Sequence, residues 1–529
     1  VFWDSRKPPQ REYKTLHYVG RLPKRMNLKP KDVPYHRVRS LHSNRLGMYA
    51  DLISDIAGKK YAMVEPSLEN VNKTISSFDG ATFSDFRSTI AWKHAIDFLD
   101  SEYKQIFDDC VATSEETASY IDWSKSGGYT ATSYGINTKG ELIMDPGFQV
   151  SLSNLKPELT VPLTTVANKK EPKEVVDIME QKIRLFFISE FHHVRSQIKF
   201  GKRSSLKLMN YKWSAYGFNP FLGGVNRMAR KLLSKPIRFY YDVSGWDKFI
   251  PLMADLYDWI RKVSRIPPEL QKEFEWMIKN TIAFFCVLWD GDVVLKNYGN
   301  ASGSGTTTRD NILMHVILAA MFLSEAYYNK MGVLPPFELL AEQICYLFGD
   351  DSVFAVDEEF DYVLHGFDEE DGFLRSFFKR FGMKLKFLRG GLDFPVTSME
   401  FLGFVFTEYR GIYIPSYDIE KLANSFIYTN DKADTLDAYV SKCFVLTMMS
   451  FSSPHLHTFL GAYKLLLSSL HGELTPVLKS FQSVGPMTED ILFAFYSGAE
   501  SAFRGVPFLH CDWWLEVEKT LSFLYQHGW

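Results

Sequence analysis

The 529-residue chain reads as an α+β protein, an antiparallel sheet backed by helices. Short apolar runs alternate with stretches of helical spacing. Two pairs of runs are separated by turn residues, which is a hairpin pattern. Apolar residues make up 46% of the chain and aromatic residues 15%, enough to bury a large core.

The elements follow in order. Residues 84–110 carry apolar positions at helical spacing, among them Phe86, Ile90, Ala91, Ala95, Ile96, Phe98 and Leu99. A polar stretch with two glycines follows at Ser124–Thr130. Residues 174–188 begin acidic and end in the strand-like run Ile183–Ile188. Residues 237–243 predict a strand, and 249–263 a helix. A glycine-rich stretch, Asn300–Thr308, runs into a strongly patterned helix, Asn311–Tyr328. Apolar runs at 344–348 and 352–356 flank Gly349-Asp350-Asp351 as a hairpin. A helix is expected over 368–382, and a second hairpin over 400–406 and 411–414, turning at Tyr409-Arg410-Gly411. From 417 onward the pattern is mostly helical.

Composition excludes several classes. The five cysteines (Cys110, Cys286, Cys345, Cys443, Cys511) form no C-x-x-C pair, against a disulfide framework or structural zinc. A reducing, cytosolic setting fits best. No run of about 18 apolar residues stands out, so no membrane span is expected. The N-terminal residues show no signal peptide. The absent initiator Met fits a product of a longer polypeptide and a truncated chain equally. Sequons at Asn72 and Asn300 are treated as chance. No G-x-x-x-x-G-K-[ST] is present, against a P-loop NTPase.

The net charge of −3 hides uneven patches. Residues 1–46 carry twelve Lys/Arg against three Asp/Glu, and residues 169–238 sixteen against five. Such blocks can neutralise phosphates. The second is read as functional because of its place in the motif order below.

Three segments carry chemistry. Strand 237–243 would deliver Asp242 to a sheet end, and Ser244-Gly245 can turn the chain so that Asp247 faces the same cleft. The tip Gly349-Asp350-Asp351 alone would be an ordinary turn. Its apolar flanks change that reading. Adjacent carboxylates near a buried strand end repel and lose solvation unless a cation offsets both. Hard divalent cations want such oxygen ligands. Between these segments, Ser302, Thr307 and Asn311 supply hydroxyls and an amide where a sugar can be read, and the glycines allow close backbone approach.

In order, 60 residues from Asp242 to Ser302 and 47 from Ser302 to Gly349, the segments resemble motifs A, B and C of positive-strand RNA virus RNA-dependent RNA polymerases. Motif A is D-x-x-x-x-D (Asp242, Asp247). Motif B is S-G-x-x-x-T-x-x-x-N (Ser302, Gly303, Thr307, Asn311). Motif C is G-D-D. Ser126, Gly127, Gly128 and Tyr129 resemble motif G, and Lys169, Lys173, Lys182 and Arg184 resemble motif F. Glu400-Phe401-Leu402-Gly403 resembles motif E. Motif D fits more loosely, with Lys384 and Lys386 both open as its lysine. Trp213–Pro220 and Asp242–Asp247 most resemble astrovirus polymerases, with the picornavirus and potyvirus-like lineage as neighbours.

The resemblance implies a right-hand polymerase. Its expected divisions are fingers at 1–235, palm at 236–264, a fingers insertion at 265–298, palm at 299–411 and thumb at 412–529. It implies nucleotidyl transfer from an rNTP to an RNA 3′ end by a two-metal mechanism. Asp242, Asp350 and Asp351 would be catalytic and hold two Mg²⁺, with Mn²⁺ as a substitute. Asp247, Ser302, Gly303, Thr307 and Asn311 would recognise the ribose. Lys169, Lys173, Lys182 and Arg184 would hold the triphosphate. Lys384 or Lys386 would be the general acid, and Ser126–Tyr129 would contact the template. Implied partners are RNA template and primer, rNTPs, a protein primer and other viral replication proteins. The implied location is the host cytoplasm, at membrane-associated replication complexes. Two alternatives stand beside it: a reverse transcriptase on a similar palm, and a non-catalytic RNA-binding scaffold.

Overall fold

The computed structural model describes residues 17–22, 34–76, 78, 84–149, 156–428, 435–470, 472, 475, 478–479, 481 and 487–498. At its centre lies an antiparallel sheet in the order Ile344–Phe348, Asp351–Val356, Ile237–Ser244, Lys384–Leu392. The expected hairpin is present, with Ile344 opposite Ala355 and Phe348 opposite Asp351. Ile237–Ser244 is buried almost continuously rather than alternately, because both faces of the sheet are covered.

Side-chain alternation along the strands divides the two faces. Phe239, Tyr241, Val243, Phe354 and Val356 point into the larger core, packed by helices Ile90–Tyr103, Met253–Val263, Thr307–Met331 and Phe373–Arg380. Tyr240, Val353 and Ala355 point into a second core with helix Gly224–Leu232 and Phe401, Phe404 and Phe406. Helix Thr307–Met331 is longer than expected and ends at Gly332, whose φ of 74° suits a left-handed C-terminal cap. By length and composition it is apolar enough to cross a membrane, yet 89% of its apolar window is buried inside the protein. It is a core helix.

A five-stranded sheet lies beside this unit, in the order His17–Arg21, Asp292–Lys296, Phe284–Val287, Leu163–Asn168, Leu185–Ile188. Only its last strand was expected from the sequence. Arg21 Nε donates to Asp292 Oδ1 at 2.8 Å, tying the first strand to a fully buried carboxylate 271 residues away.

Other elements are shorter than their patterns. The 84–110 stretch forms a helix only from Ile90, after Thr89 accepts from the Trp92 amide, and passes into a tight turn at Lys104–Phe107. The helix expected over 368–382 spans Phe373–Arg380. The second hairpin is a three-stranded meander, Glu400–Phe401, Phe404–Tyr409 and Ile412–Tyr417. Leu402-Gly403 and Arg410-Gly411 all have positive φ, the twist that two-residue hairpin turns require.

The C-terminal helices Ile419–Ile427, Leu436–Met449, Leu456–Ser468 and Glu489–Ser497 share one core with helix Tyr49–Ala57. Packing therefore departs from the expected divisions. The 411/412 boundary cuts a paired hairpin. The 1–235 segment gives Tyr49–Ala57 to the C-terminal core and Ile90–Tyr103 to the central one. Cys110, Cys286, Cys345 and Cys443 are buried free thiols. Cys511, residues 1–16 of the N-terminal basic block and 499–529 of the expected thumb lie outside the described residues.

Candidate active site

Three carboxylates meet at the ends of the two middle strands. Ser352 lies opposite Tyr241, so the same register carried one residue on sets Asp351 across from Asp242. Like charges directly opposite each other on neighbouring strands repel. Asp350 is half-buried and Asp351 exposed, both crowded by surrounding protein. Burial, then Asp247, raises the Asp350 carboxyl above its ordinary value. Burial, then Asp350 and Asp242, pushes Asp351 up to about 7. Glu400, at the start of the small meander, adds to the repulsion on Asp351.

The tip that carries them is fixed from below. His315, fully buried in the long helix, donates from Nδ1 to the Gly349 carbonyl at 2.8 Å. Its Nε2 then accepts from the Tyr241 hydroxyl at 2.7 Å. Burial lowers this imidazole to about 4, so the ring stays neutral and keeps that tautomer. Gly349 itself has a φ of 67°, the left-handed turn its position demands.

On the other side of Asp242, Gly245 (φ 65°) turns the chain into the short helix Trp246–Phe249. Asp247 there meets the glycine loop. Its Oδ2 accepts from Ser302 Oγ at 2.7 Å, and its carbonyl accepts from the Asn300 amide at 2.8 Å. Asn311 Oδ1 accepts from Trp246 Nε1 at 3.1 Å and Asn300 Nδ2 at 2.9 Å. Thr307 donates to the Ala301 and Ser304 carbonyls at 2.7 and 3.1 Å, so its hydroxyl braces the loop itself. Gly303 takes a φ of 109°, and a Cβ there would sit 2.4 Å from the Phe187 carbonyl oxygen. The Phe187 amide donates to the Ser302 carbonyl at 2.8 Å. Four of the five expected ribose-recognition residues, Asp247, Ser302, Thr307 and Asn311, thus belong to one hydrogen-bonded unit with Asn300 and Trp246, which the sequence reading did not assign. Gly303 supplies the loop's close approach to Phe187, and His315 packs its ring against Trp246.

Beneath the loop runs a buried polar chain. Arg309, 2% exposed, donates to Asp310 Oδ1 at 2.7 Å and to Ser204 Oγ at 2.9 Å. Tyr257 donates to Asp310 Oδ2 at 2.8 Å and shares a hydrogen bond with Thr306. Gly305 N donates to Gln197 Oε1 at 3.0 Å, tying the loop to helix Phe191–Lys207.

The four expected triphosphate cations divide. Arg184 lies among the carboxylates, and Glu171, Asp350, Asp247 and Asp351 together hold its guanidinium above its ordinary value against the opposing pull of desolvation. Lys169 pairs with Glu171 at 2.9 Å, Lys173 with Asp177 at 3.4 Å and Lys182 with Glu180 at 2.5 Å. Those three lysines are engaged by acids of their own segment. The structure also separates the two candidate acids. A bulge in Lys384–Leu392 brings Lys386 Nζ to 3.2 Å from Asp242 Oδ2, whereas Lys384 faces a separate cavity with Glu370, Asp371, Arg375 and Lys379.

In the segment Ser126–Tyr129, Gly127, Gly128 and Tyr129 are buried, Tyr129 against Leu163, Val287 and Val293. Ser126 is half-buried, and Ser124 and Lys125 are the exposed neighbours. Glu190 backs the turn: Thr130 donates to it from N at 2.8 Å and from Oγ1 at 2.7 Å. Asn300 is buried, so its sequon is inaccessible.

The donors at the strand ends are carboxylate oxygens, the set that hard divalent cations take. Among the described residues, no three His, Cys, Asp or Glu side chains are drawn into a closed cage. The chemistry of the set suits such ions: burial and mutual repulsion disfavour the ionised forms of Asp350 and Asp351, a cost that a cation would offset, and the Lys386 ammonium already lies at Asp242.

A family model described as viral RNA-dependent RNA polymerase matches residues 83–472. Similar curated proteins include non-structural polyprotein 1AB of Turkey astrovirus 1, 26% identical over 273 residues, which are 49% of this chain and 16% of that protein. The corresponding polyprotein of Turkey astrovirus 2 is 25% identical over 241 residues, 42% of this chain and 14% of that protein. Genome polyprotein 1 of Barley mild mosaic virus (strain Na1) is 26% identical over 474 residues, 84% of this chain and 20% of that protein. The chain spans at most about a fifth of the length of these relatives.

Proposed function

Because the chain belongs to the viral RNA-dependent RNA polymerases, we propose that it copies an RNA template in the replication of a viral RNA genome, joining rNTPs to an RNA 3′ end. The observation that carries this is the convergence of Asp242, Asp350 and Asp351 at adjacent strand ends, beside a loop that binds Asp247 to Ser302. The fingers, palm and thumb of the right-hand fold then correspond to the five-stranded sheet, the central sheet with its meander, and the C-terminal helices.

Asp242 and Asp350, supported by Asp351, are the residues that would hold two Mg²⁺, or Mn²⁺ as a substitute. When bound, such ions activate the primer hydroxyl and stabilise the leaving pyrophosphate. The rest is done by the chain itself. Arg184 offsets triphosphate charge among the acids, with Lys169, Lys173 and Lys182, each engaged by an acid of its own segment, in support. Lys386 is the favoured general acid over Lys384, since its ammonium already lies at Asp242. Asp247 and Asn311, fixed through Ser302, Asn300 and Trp246, read the ribose 2′-hydroxyl. Gly303 and Thr307 shape the loop. Ser126 and its exposed neighbours meet the template. The partners are RNA template and primer, rNTPs, a protein primer and other viral replication proteins, and the site of action is host-cytoplasmic replication complexes on membranes. The polyprotein relatives support the viral partners.

The deciding test is extension of a primed homopolymer RNA by purified protein, with and without Mg²⁺, using rNTPs and dNTPs in parallel. Metal-dependent rNTP incorporation is expected. Preferred dNTP incorporation would point to a reverse transcriptase, and no incorporation to an RNA-binding scaffold.

A further inference from the structure

Lys296 ends the strand Asp292–Lys296 with its side chain 1% exposed. Its Nζ lies 4.8 Å from the ring centre of Phe78, 5.2 Å from that of Phe284 and 5.7 Å from that of Phe187. Among the described residues it forms no ion pair. Instead the ammonium donates to two backbone carbonyls just ahead of the glycine loop, Tyr298 and, at 3.2 Å, Gly299. Burial lowers its pKa to about 7.

A buried amine without an ion-pair partner is costly to charge, even with aromatic faces around it and Asp247 favouring the ammonium from a distance. Packing alone does not require one, since a Met of similar length would fill the aromatic box. What the ammonium adds is a clamp on the chain between Lys296 and Asn300. Gly299 is held at a φ of 68°, so close to the Asp247 carbonyl that a Cβ would lie 2.3 Å from it. The next residue, Asn300, binds the Asp247 carbonyl through its amide and Asn311 Oδ1 through its side chain. Both acceptors belong to the ribose-recognition residues. The Phe187 ring over the ammonium belongs to the same residue whose amide holds the Ser302 carbonyl.

We propose that Lys296 is a positioning residue for sugar selectivity: its ammonium fixes the Tyr298-Gly299 turn, and through Asn300 sets Asp247 and Asn311 against the ribose. This rests on the assignment of Asp247 and Asn311 as ribose readers. It predicts coupling between Lys296 and Asp247 across two intervening backbone contacts, with no contact of Lys296 to substrate.

The test is steady-state kinetics of rNTP and dNTP addition on a preformed primer–template, for Lys296→Met, Asp247→Ala, Asn311→Ala and the Lys296→Met/Asp247→Ala double variant. Lys296→Met should lower the rNTP:dNTP ratio of kcat/KM about tenfold and leave RNA affinity and its salt slope unchanged. In the Asp247→Ala background its effect on the ratio should shrink to the part carried through Asn311. If Asp247→Ala shifts the ratio and Lys296→Met leaves it within twofold, the role of Lys296 is overturned and the ribose readers stand. A full Lys296→Met effect in the Asp247→Ala background also overturns it. An unchanged ratio in both Asp247→Ala and Asn311→Ala overturns the readers and the proposal with them. Should Lys296→Met not fold, Lys296→Gln, neutral and too short for the clamp, is read by the same criteria.

Discussion

The two sides of the site are built on opposite terms. On the glycine-loop side, Asp247, Ser302, Asn300, Asn311 and Trp246 hydrogen-bond one another, with Asn300 Oδ1 alone left without a partner among the described residues, and Arg309, Asp310 and Tyr257 close a second network beneath. On the strand-end side, Asp242, Asp350 and Asp351 face one another with a single lysine at 3.2 Å. The first side carries its own partners, so its geometry exists before substrate arrives. The second crowds carboxylates whose repulsion Arg184 and Lys386 only partly offset. On the proposed reading, sugar reading would be a property of the folded chain, while bond making would wait for what binds.

The sharpest way to break this contrast is Asp350→Asn. Nucleotide addition should fall by at least about a thousandfold, since an amide is a poor ligand for a hard cation. Thermal stability should hold or rise, because a repelling charge is gone. Single-nucleotide extension and a melting curve check both, and near-wild-type elongation would sink the metal assignment.

Arg309→Met should do the reverse on the loop side. It leaves Asp310 buried without its cation, and such losses cost about 3–5 kcal/mol. Denaturant titration measures this. A cost under 1 kcal/mol would mean that the network is dispensable.

Asp247→Ala and Asn311→Ala should reduce rNTP preference by about ten- to a hundredfold, as lost partners of a substrate hydroxyl do. Arg184→Ala should raise KM for nucleotides about tenfold with little change in RNA affinity, which is spread over many phosphates. An effect confined to RNA binding and its salt slope would remove Arg184 from the nucleotide channel.

The smallest effect concerns Glu190. Burial pushes its carboxyl up to about 7, against an ordinary value near 4.5. With the folded pKa raised, its contribution to stability is fully present below about 4.5 and is lost as pH rises through about 7. Glu190→Gln keeps an acceptor for Thr130 but cannot ionise. It should flatten the decline in melting temperature between those pH values, and an unchanged slope would show that Glu190 is not its source.

Much of this was readable from the chain, for local reasons. Ile237–Val243, the Asp350 tip and the Asn311 helix declare themselves through apolar runs bounded by turn residues. Lys384–Leu392 did not, because two lysines, an arginine and two glycines hide its strand pattern. The meander's first turn hid in Leu402, whose positive φ no propensity foretells. His17–Arg21 pairs with residues some 270 positions away, which local spacing cannot register. Lys296, Arg309 and Asp310 were missed for another reason. Charged residues are usually solvated, and only the packed structure reveals that these three are not. His315, a lone polar group in an otherwise apolar run, was the one visible signal of the buried supports.

The pairing of His17–Arg21 with Asp292–Lys296 has a consequence for how the molecule comes into being. During synthesis at about 5–20 residues per second, roughly 15–50 seconds separate the emergence of the two strands. Through that interval Leu163–Asn168 and Leu185–Ile188 also lack the inner strands that join them to the N-terminal one. Helix Tyr49–Ala57 waits longer still, for partners beyond residue 419. Leu163–Asn168 and Leu185–Ile188 can pair with each other, but their sheet stays open on the ribosome until the late strands arrive. The nascent chain carries exposed strand edges and an uncovered apolar helix face for most of its elongation, which makes its birth its period of greatest aggregation risk.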